Sequence, residues 1–159
     1  MPRLLLGWVL ALLLGGCAAP GKAPENVLSV AEVSADVRVG AARSWEHCTW
    51  YPGSAGFSFS ATPARPLGQL VLREDALLWG DYDMSSAVFR VVRRIPYAQL
   101  RVVHLAQKTG RNMLVLESAD GTLDSFAIEH PSKGKAPILE PDPAATADAW
   151  RFLRGLLGL

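Results

Sequence analysis

A series of short apolar segments, separated by turn signals, runs through residues 67–129 and constrains the fold more than any other feature. Glu74-Asp75 and Asp120-Gly121 mark turns, and Pro96 ends one segment because proline cannot donate to a strand ladder. Sequential strands joined by short turns are typical of an antiparallel meander, not of alternating β and α units. The predicted strands are 67–72, 76–79, 88–95, 100–105, 113–117 and 122–129, with a polar loop at 80–86.

The third of these predicted strands carries a row of arginines. Strand alternation puts Phe89 and Val91 on one face and Arg90 and Arg94 on the other. Arg101 follows on the next strand, so these three arginines are predicted to share one face. Such a face is a candidate binding site for an anion or an acidic partner. The alternative is a solvated surface whose charges are balanced by nearby acids.

The end of the chain has a different character. Residues 130–143 form a predicted loop with four prolines, and Asp142-Pro143 is typical of a helix N-cap followed by a first-turn proline. A helix is predicted over 144–157, and its apolar stripe must pack against the sheet. The stripe consists of Trp150, Leu153 and Leu157, and Leu156 lies beside it. The predicted fold class is therefore mainly β with a C-terminal α-helix, as a strongly bent antiparallel sheet or small barrel capped by that helix.

The segment 27–66 reads as an N-terminal extension whose structure the sequence leaves open. Its valines at 27, 30, 33 and 37 have a helical spacing, but valine also favours strands. Phe57 and Phe59 alternate within 53–60, which predicts one short strand there.

Three local patterns resemble the pleckstrin-homology (PH-like) superfold. They are the hairpin Gly68-Gln-Leu-Val-Leu-Arg-Glu-Asp-Ala-Leu-Leu-Trp79, the step Ile95-Pro-Tyr-Ala-Gln-Leu100, and the helix that carries Trp150. The resemblance implies a bent meander closed by the last helix, over a domain 67–159. Members that bind phosphoinositides carry basic residues around the first hairpin loop, whereas this chain has Glu74-Asp75 there. Phosphoinositide binding is therefore not inferred.

The first residues of the chain have the composition of an export signal. Arg3 precedes an apolar run over 4–14, and two small residues and Cys17 follow. This run is too short to span a bilayer, which requires about 20 apolar residues.

The sequence Leu14-Gly15-Gly16-Cys17 resembles the lipobox of bacterial lipoproteins. This resemblance implies that a signal peptide, 1–16, is removed and that Cys17 receives acyl chains that hold the protein to a membrane. Residues 17–26 then form a lipidated, flexible tether. The residue after this cysteine is Ala18 and not aspartate, which in Gram-negative lipoproteins of the usual pattern implies sorting to the periplasmic side of the outer membrane. The alternative is an ordinary secretory signal in which Cys17 is incidental.

Charge excludes some partners. Removal of 1–16 takes away one basic residue, Arg3, and leaves 15 basic and 15 acidic residues. Nucleic-acid binding depends on neutralising phosphates, so a chain of zero net charge is not predicted to bind nucleic acid. Its length suits a single domain.

Cys48 is the main candidate for catalytic chemistry. It lies in the cluster Trp45-Glu46-His47-Cys48-Thr49-Trp50 and could be a nucleophile or redox thiol, or a buried core residue. Neighbouring residues of an extended strand point to opposite faces, so His47 is not expected to activate this thiol.

Metal and cofactor motifs are not found in the sequence. A calcium loop starting at Asp81 would need glycine and glutamate where Ser86 and Val92 stand. The three histidines lack ligand spacing, and there is no phosphate-binding glycine loop, so neither a metal nor a cofactor is predicted.

These observations favour a membrane-anchored envelope lipoprotein that acts as a non-catalytic binding or scaffolding module for an envelope protein partner. Its candidate residues are Cys17 for lipidation and Arg90, Arg94 and Arg101 for binding. The alternatives are a thiol or redox enzyme built on Cys48, and a carrier of a small apolar or lipid ligand.

Overall fold

The computed structural model describes residues 27–38, 40–58, 62–83, 85–86, 88–132 and 138–159. The predicted signal peptide, Cys17 and the tether lie outside these residues. In chain order the elements are β1 (Val27–Ser29), α1 (Val30–Arg38), β2 (Ala42–Pro52), β3 (Arg65–Arg73), β4 (Ala76–Asp83), β5 (Val88–Pro96), a 3-10 turn (Tyr97–Gln99), β6 (Leu100–Lys108), β7 (Arg111–Ser118), β8 (Leu123–Pro131), β9 (Leu139–Pro141) and α2 (Pro143–Leu157).

The strands form one bent antiparallel sheet that does not close on itself. Their order is β1-β5-β4-β3-β2-β8-β7-β6, and β9 pairs with β8. The C-terminal helix α2 contacts β6, β7 and β8. The predicted mainly β fold with a C-terminal helix is confirmed, and the arrangement is consistent with a PH-like one. Strand β2, in the middle of this order, lies within the segment 27–66, for which the sequence did not predict the type of structure.

Helix α2 begins and ends as its sequence predicts. The Asp142 side chain accepts a hydrogen bond from the Ala145 amide at 2.8 Å, and Pro143 occupies the first turn. Gly158 ends the helix in the left-handed conformation, at φ 69°. Leu153 and Ala149 are fully buried, whereas Trp150 and Leu157 are only partly buried. The buried face of α2 therefore follows Ala149 and Leu153, and the predicted Trp150 lies at the side of this face.

An inner core lies between the concave face of the sheet and α2. Trp79 is at its centre and donates from Nε1 to the Cys48 carbonyl oxygen at 3.0 Å. Gly68 makes room for this indole, because a Cβ at Gly68 would lie 2.2 Å from the Trp79 ring. The buried members of the inner core are Cys48, Trp50, Leu70, Leu72, Leu77, Trp79, Ile95, Leu114, Leu116, Phe126, Ile128, Ala149 and Leu153.

A smaller outer core lies on the opposite face of the same strands, under α1. Adjacent residues of one strand serve the two cores: Leu77 belongs to the inner core and Leu78 to the outer one. Residues of β3 and β4 are therefore buried on both faces of the sheet. The buried members of the outer core are Val33, Ala42, Val71, Ala76, Leu78, Phe89 and Val91.

Three local predictions are wrong. Strand β4 continues to Asp83, so the predicted loop 80–86 begins too early. A strand was predicted over 53–60, but residues 53–58 form a loop in which Gly53 and Gly56 adopt positive φ angles, and Phe59 and Ser60 lie outside the described residues. The predicted proline-rich loop contains the short strand β9, whose residues pair with the end of β8.

Candidate functional site

The structure does not place Arg90 and Arg94 on one face, so that prediction is wrong. The register shifts between β4 and β5, because Trp79 pairs with Arg93 whereas Gly80 pairs with Val91. The extra residue is a β-bulge, which reverses the alternation beyond it. Directly opposed residues share a face. Arg94 therefore lies on the face of its partner Leu78, whereas Arg90, opposite Asp81, lies on the face of Trp79.

The charges of these arginines are largely engaged within the protein. Arg94 pairs with Asp75 at 2.7 Å in an exposed ion pair, and Arg101 approaches Glu117 at 3.6 Å. Arg101 lies on β6, at the other end of the sheet order from β5. The three arginines thus do not form the single surface that the sequence suggested.

Arg93, between them, joins a buried polar network. Its guanidinium donates to Asp124 Oδ2 at 2.7 and 3.1 Å, and Trp50 Nε1 donates to Asp124 Oδ1 at 2.7 Å. The Asp124 side chain is 3% exposed. A buried carboxylate with three charge-assisted or indole donors is a structural link, and it ties β5 to β8 and β2 across the inner core.

Cys48 is a core residue in this structure. It is fully buried in the inner core, and its Sγ lies 3.8 Å from the Thr49 carbonyl oxygen. Burial, together with the negative charge of Glu129, raises the pKa of the thiol well above its ordinary value. A nucleophilic cysteine needs the opposite shift, because the thiolate is the reactive form.

His47 departs from the extended geometry that the sequence analysis assumed. Its φ of 54° places it in the left-handed region, and the β2–β3 register shifts between Trp45 and Cys48. A non-glycine residue in this conformation costs about 1–2 kcal/mol and persists where the surroundings fix it. Here it marks a bulge that bends β2.

The open edge of β6 is the strongest candidate for a binding surface. Strand β6 ends the sheet order, and no other strand of the described residues pairs with its free edge. Unpaired backbone donors and acceptors on such an edge are a template for an added strand.

The outer face of this edge is basic. Gly56, in the loop after β2, lies against Ala106 of β6 and Val115 of β7. His104 is opposite Val115, so His104 and Ala106 lie on the outer face, next to this loop. Lys108 reaches the same loop, with its Nζ 5.9 Å from the Phe57 ring centre. Arg101, 68% exposed in its side chain, approaches Glu117 on this face. We call the row Arg101, His104 and Lys108 the basic edge.

His104 and Lys108 were not predicted as site residues from the sequence. Their signal was the alternation His104, Ala106, Lys108, which is typical of one face of a strand. It was overlooked because the predicted strand ended at residue 105, whereas β6 continues to Lys108.

The candidate calcium loop is an ordinary polar turn. Asp83 accepts hydrogen bonds from Ser85 and Ser86, and these lower its pKa to about 2. Within the described part of the chain, no group of three or more potential metal ligands occurs. No helix in the same residues is long and apolar enough to cross a membrane.

Comparison with protein-family models and with curated proteins found no match for this chain. The case for its function therefore depends on its own residues.

Proposed function

We propose that this protein is a lipid-anchored envelope lipoprotein that works as a non-catalytic binding module. In this proposal Cys17 carries the acyl chains, the segment 17–26 is the tether, and the β domain holds a protein partner on the periplasmic side of the outer membrane. The partner binds along the basic edge of β6.

The observation that carries this proposal is the open edge of β6. The nine-residue strand Leu100–Lys108 pairs with β7 on one side, with a register shift at Arg101, and with no described strand on the other. Peptide recognition by strand addition uses such an edge, with backbone hydrogen bonds for affinity and side chains for specificity.

The charge of the edge indicates the chemistry of the partner. Arg101, His104 and Lys108 lie along one face, and Glu117 is the one acid paired with them among the described residues. Complementary charge speeds association and fixes register, so an extended segment rich in Asp and Glu is the expected partner.

The alternative of a Cys48 enzyme receives little support from the geometry. The thiol is buried, its pKa is raised, and His47 lies in a bulge beside it. We therefore place function at the edge of the sheet and not in its interior.

Site-specific photo-crosslinking in the native host tests the edge. A photoreactive residue at Gln107, exposed on β6, should give a discrete adduct, while the same residue at Ala35, exposed on α1, should not. Equal adducts from both positions, or none from Gln107, would count against the proposal.

The lipid anchor has a separate test. Cys17→Ala should abolish incorporation of labelled palmitate and release the protein from the membrane fraction, because two or more acyl chains supply stable anchoring. Palmitate incorporation in the alanine variant would contradict lipidation at Cys17 without bearing on the β6 edge.

A further inference from the structure

A pocket beside the basic edge opens on the outer face of β2, β7 and β8. Its volume is about 250 Å³. The loop after β2 forms one wall through Phe57, and β9 forms the facing wall through Leu139 and Pro141. Pockets for drug-sized ligands usually measure about 300–1,000 Å³, so this one suits a smaller molecule.

The floor of the pocket carries groups of both charges. Glu129 accepts a hydrogen bond from Thr49 Oγ1 at 2.7 Å through one carboxylate oxygen, Oε2. No cationic nitrogen of the described residues lies within 4.0 Å of this carboxylate, although Arg111 lines the same pocket. Both charges act on Tyr51, whose pKa is raised by burial and Glu129 and lowered by Arg111.

The two charges reach the pocket from different strands. Arg111 begins β7, and Glu129 lies near the end of β8, where it is paired with Pro141 of β9. Both side chains line the pocket, and they form no ion pair with each other. A ligand with one charge of each sign can pair with both.

The remaining lining of the pocket combines polar residues, such as Ser58 and Asn112, with apolar ones. Met113 and Ala127 are apolar residues of β7 and β8 in this lining, and Phe57 provides an aromatic face. This lining would take an aliphatic side chain. The ligand therefore needs an ammonium, a carboxylate and a small apolar body.

We propose that this pocket binds a zwitterion of the size of an apolar amino acid, with its ammonium at Glu129 and its carboxylate at Arg111. A simple anion is disfavoured because Glu129 would repel it, and a simple cation because Arg111 would. The pocket adjoins the basic edge, because Lys108 reaches Phe57. Leucine binding and the Gln107 adduct are separate measurements, so either proposal can fail without the other.

Equilibrium dialysis of the full chain, purified in detergent, tests the pocket with radiolabelled L-leucine as the probe. Leucine should bind and should be displaced by unlabelled leucine. N-acetyl-leucine lacks the ammonium and leucinamide lacks the carboxylate, so each should compete at least about tenfold more weakly, which corresponds to about 1.4 kcal/mol.

Two variants make the test specific. Glu129→Gln should weaken leucine binding by about tenfold or more, as expected for loss of a charge-assisted hydrogen bond. Glu140→Gln, an exposed neighbour on β9, should leave it unchanged. The proposal is overturned if leucine does not bind, if N-acetyl-leucine or leucinamide competes as well as leucine, or if Glu129→Gln binds like the native protein. A circular dichroism spectrum like that of the native protein would show that Glu129→Gln is folded.

Discussion

The centre of the sheet and its β6 end differ in strand pairing, burial and charge. Strands β3 and β4 have neighbours on both edges and a core on each face, and their sequences contain the continuous apolar runs Leu70-Val71-Leu72 and Ala76-Leu77-Leu78-Trp79. Strand β6 has one neighbouring strand among the described residues, and its outer face is basic. The comparison indicates that the centre supplies stability and the β6 end is available for binding.

The largest effect is expected from the centre. Leu77→Ala should reduce the free energy of unfolding by about 3–5 kcal/mol, the range for a fully buried leucine whose cavity cannot collapse. Chemical denaturation of the full chain in detergent measures it.

Leu78→Ala is the matched control for this substitution, because it is the next residue on the same strand. The outer core is smaller and lies under a nine-residue helix that can settle into the space. Leu78→Ala should therefore reduce the free energy of unfolding by only about 2–3 kcal/mol, the low end of the range for leucine truncation. A larger loss for Leu78→Ala than for Leu77→Ala would mean that the outer core is the main support.

The next largest effect on stability concerns two Arg–Asp ion pairs that have the same N···O distance but differ in burial. Asp124→Asn should cost about 2–3 kcal/mol, because it removes the buried charge that pairs with Arg93 and replaces one of the two acceptor oxygens by a donor. Asp75→Asn breaks the exposed 2.7 Å pair with Arg94 and should cost less than about 0.5–1 kcal/mol. Equal losses of unfolding free energy in the two variants would show that burial does not determine how much each ion pair contributes to stability.

A smaller effect should appear at high pH. Burial holds the Cys48 thiol protonated in the native state at a pH where the unfolded chain, with an ordinary pKa near 9.0, has released the proton. The native state then binds more protons, so stability falls as pH rises above about 9, by up to about 1.4 kcal/mol at pH 10 relative to Cys48→Ala. Denaturation of both proteins at pH 8 and pH 10 checks this, and parallel behaviour would contradict a buried, protonated thiol.

Much of the fold could be predicted because local signals agreed with the tertiary structure. The turn at Glu74-Asp75, the strand end at Pro96 and the cap at Asp142 each depend on nearby residues, and each is where the sequence placed it. The outer core was missed although its signal was present. An apolar run such as Leu70-Val71-Leu72 indicates a strand that is buried on both faces, but it was interpreted only as one strand of the meander.

The candidate site was harder to predict because it depends on register and on a sheet edge. One bulge in β5, at Val92, moves Arg94 to the face opposite Arg90, and nothing local in the sequence marks that bulge. Whether β6 has a free edge depends on the order of all the strands, which pairings far apart in sequence determine.

The most direct test of the account measures stability and binding in the same charge-reversal variants. Arg101→Glu with Lys108→Glu alters the basic edge, and Arg90→Glu with Arg94→Glu is the control that makes the same charge change on β5. Both proteins should unfold within about 1 kcal/mol of the native chain, as surface substitutions do. In the β6 variant, the yield of the partner adduct formed from Gln107 should fall at least about tenfold, a difference of about 1.4 kcal/mol. The β5 variant should keep the native yield. Retention of the adduct by the β6 variant, or its loss from the β5 variant alone, would contradict a binding surface at the β6 edge.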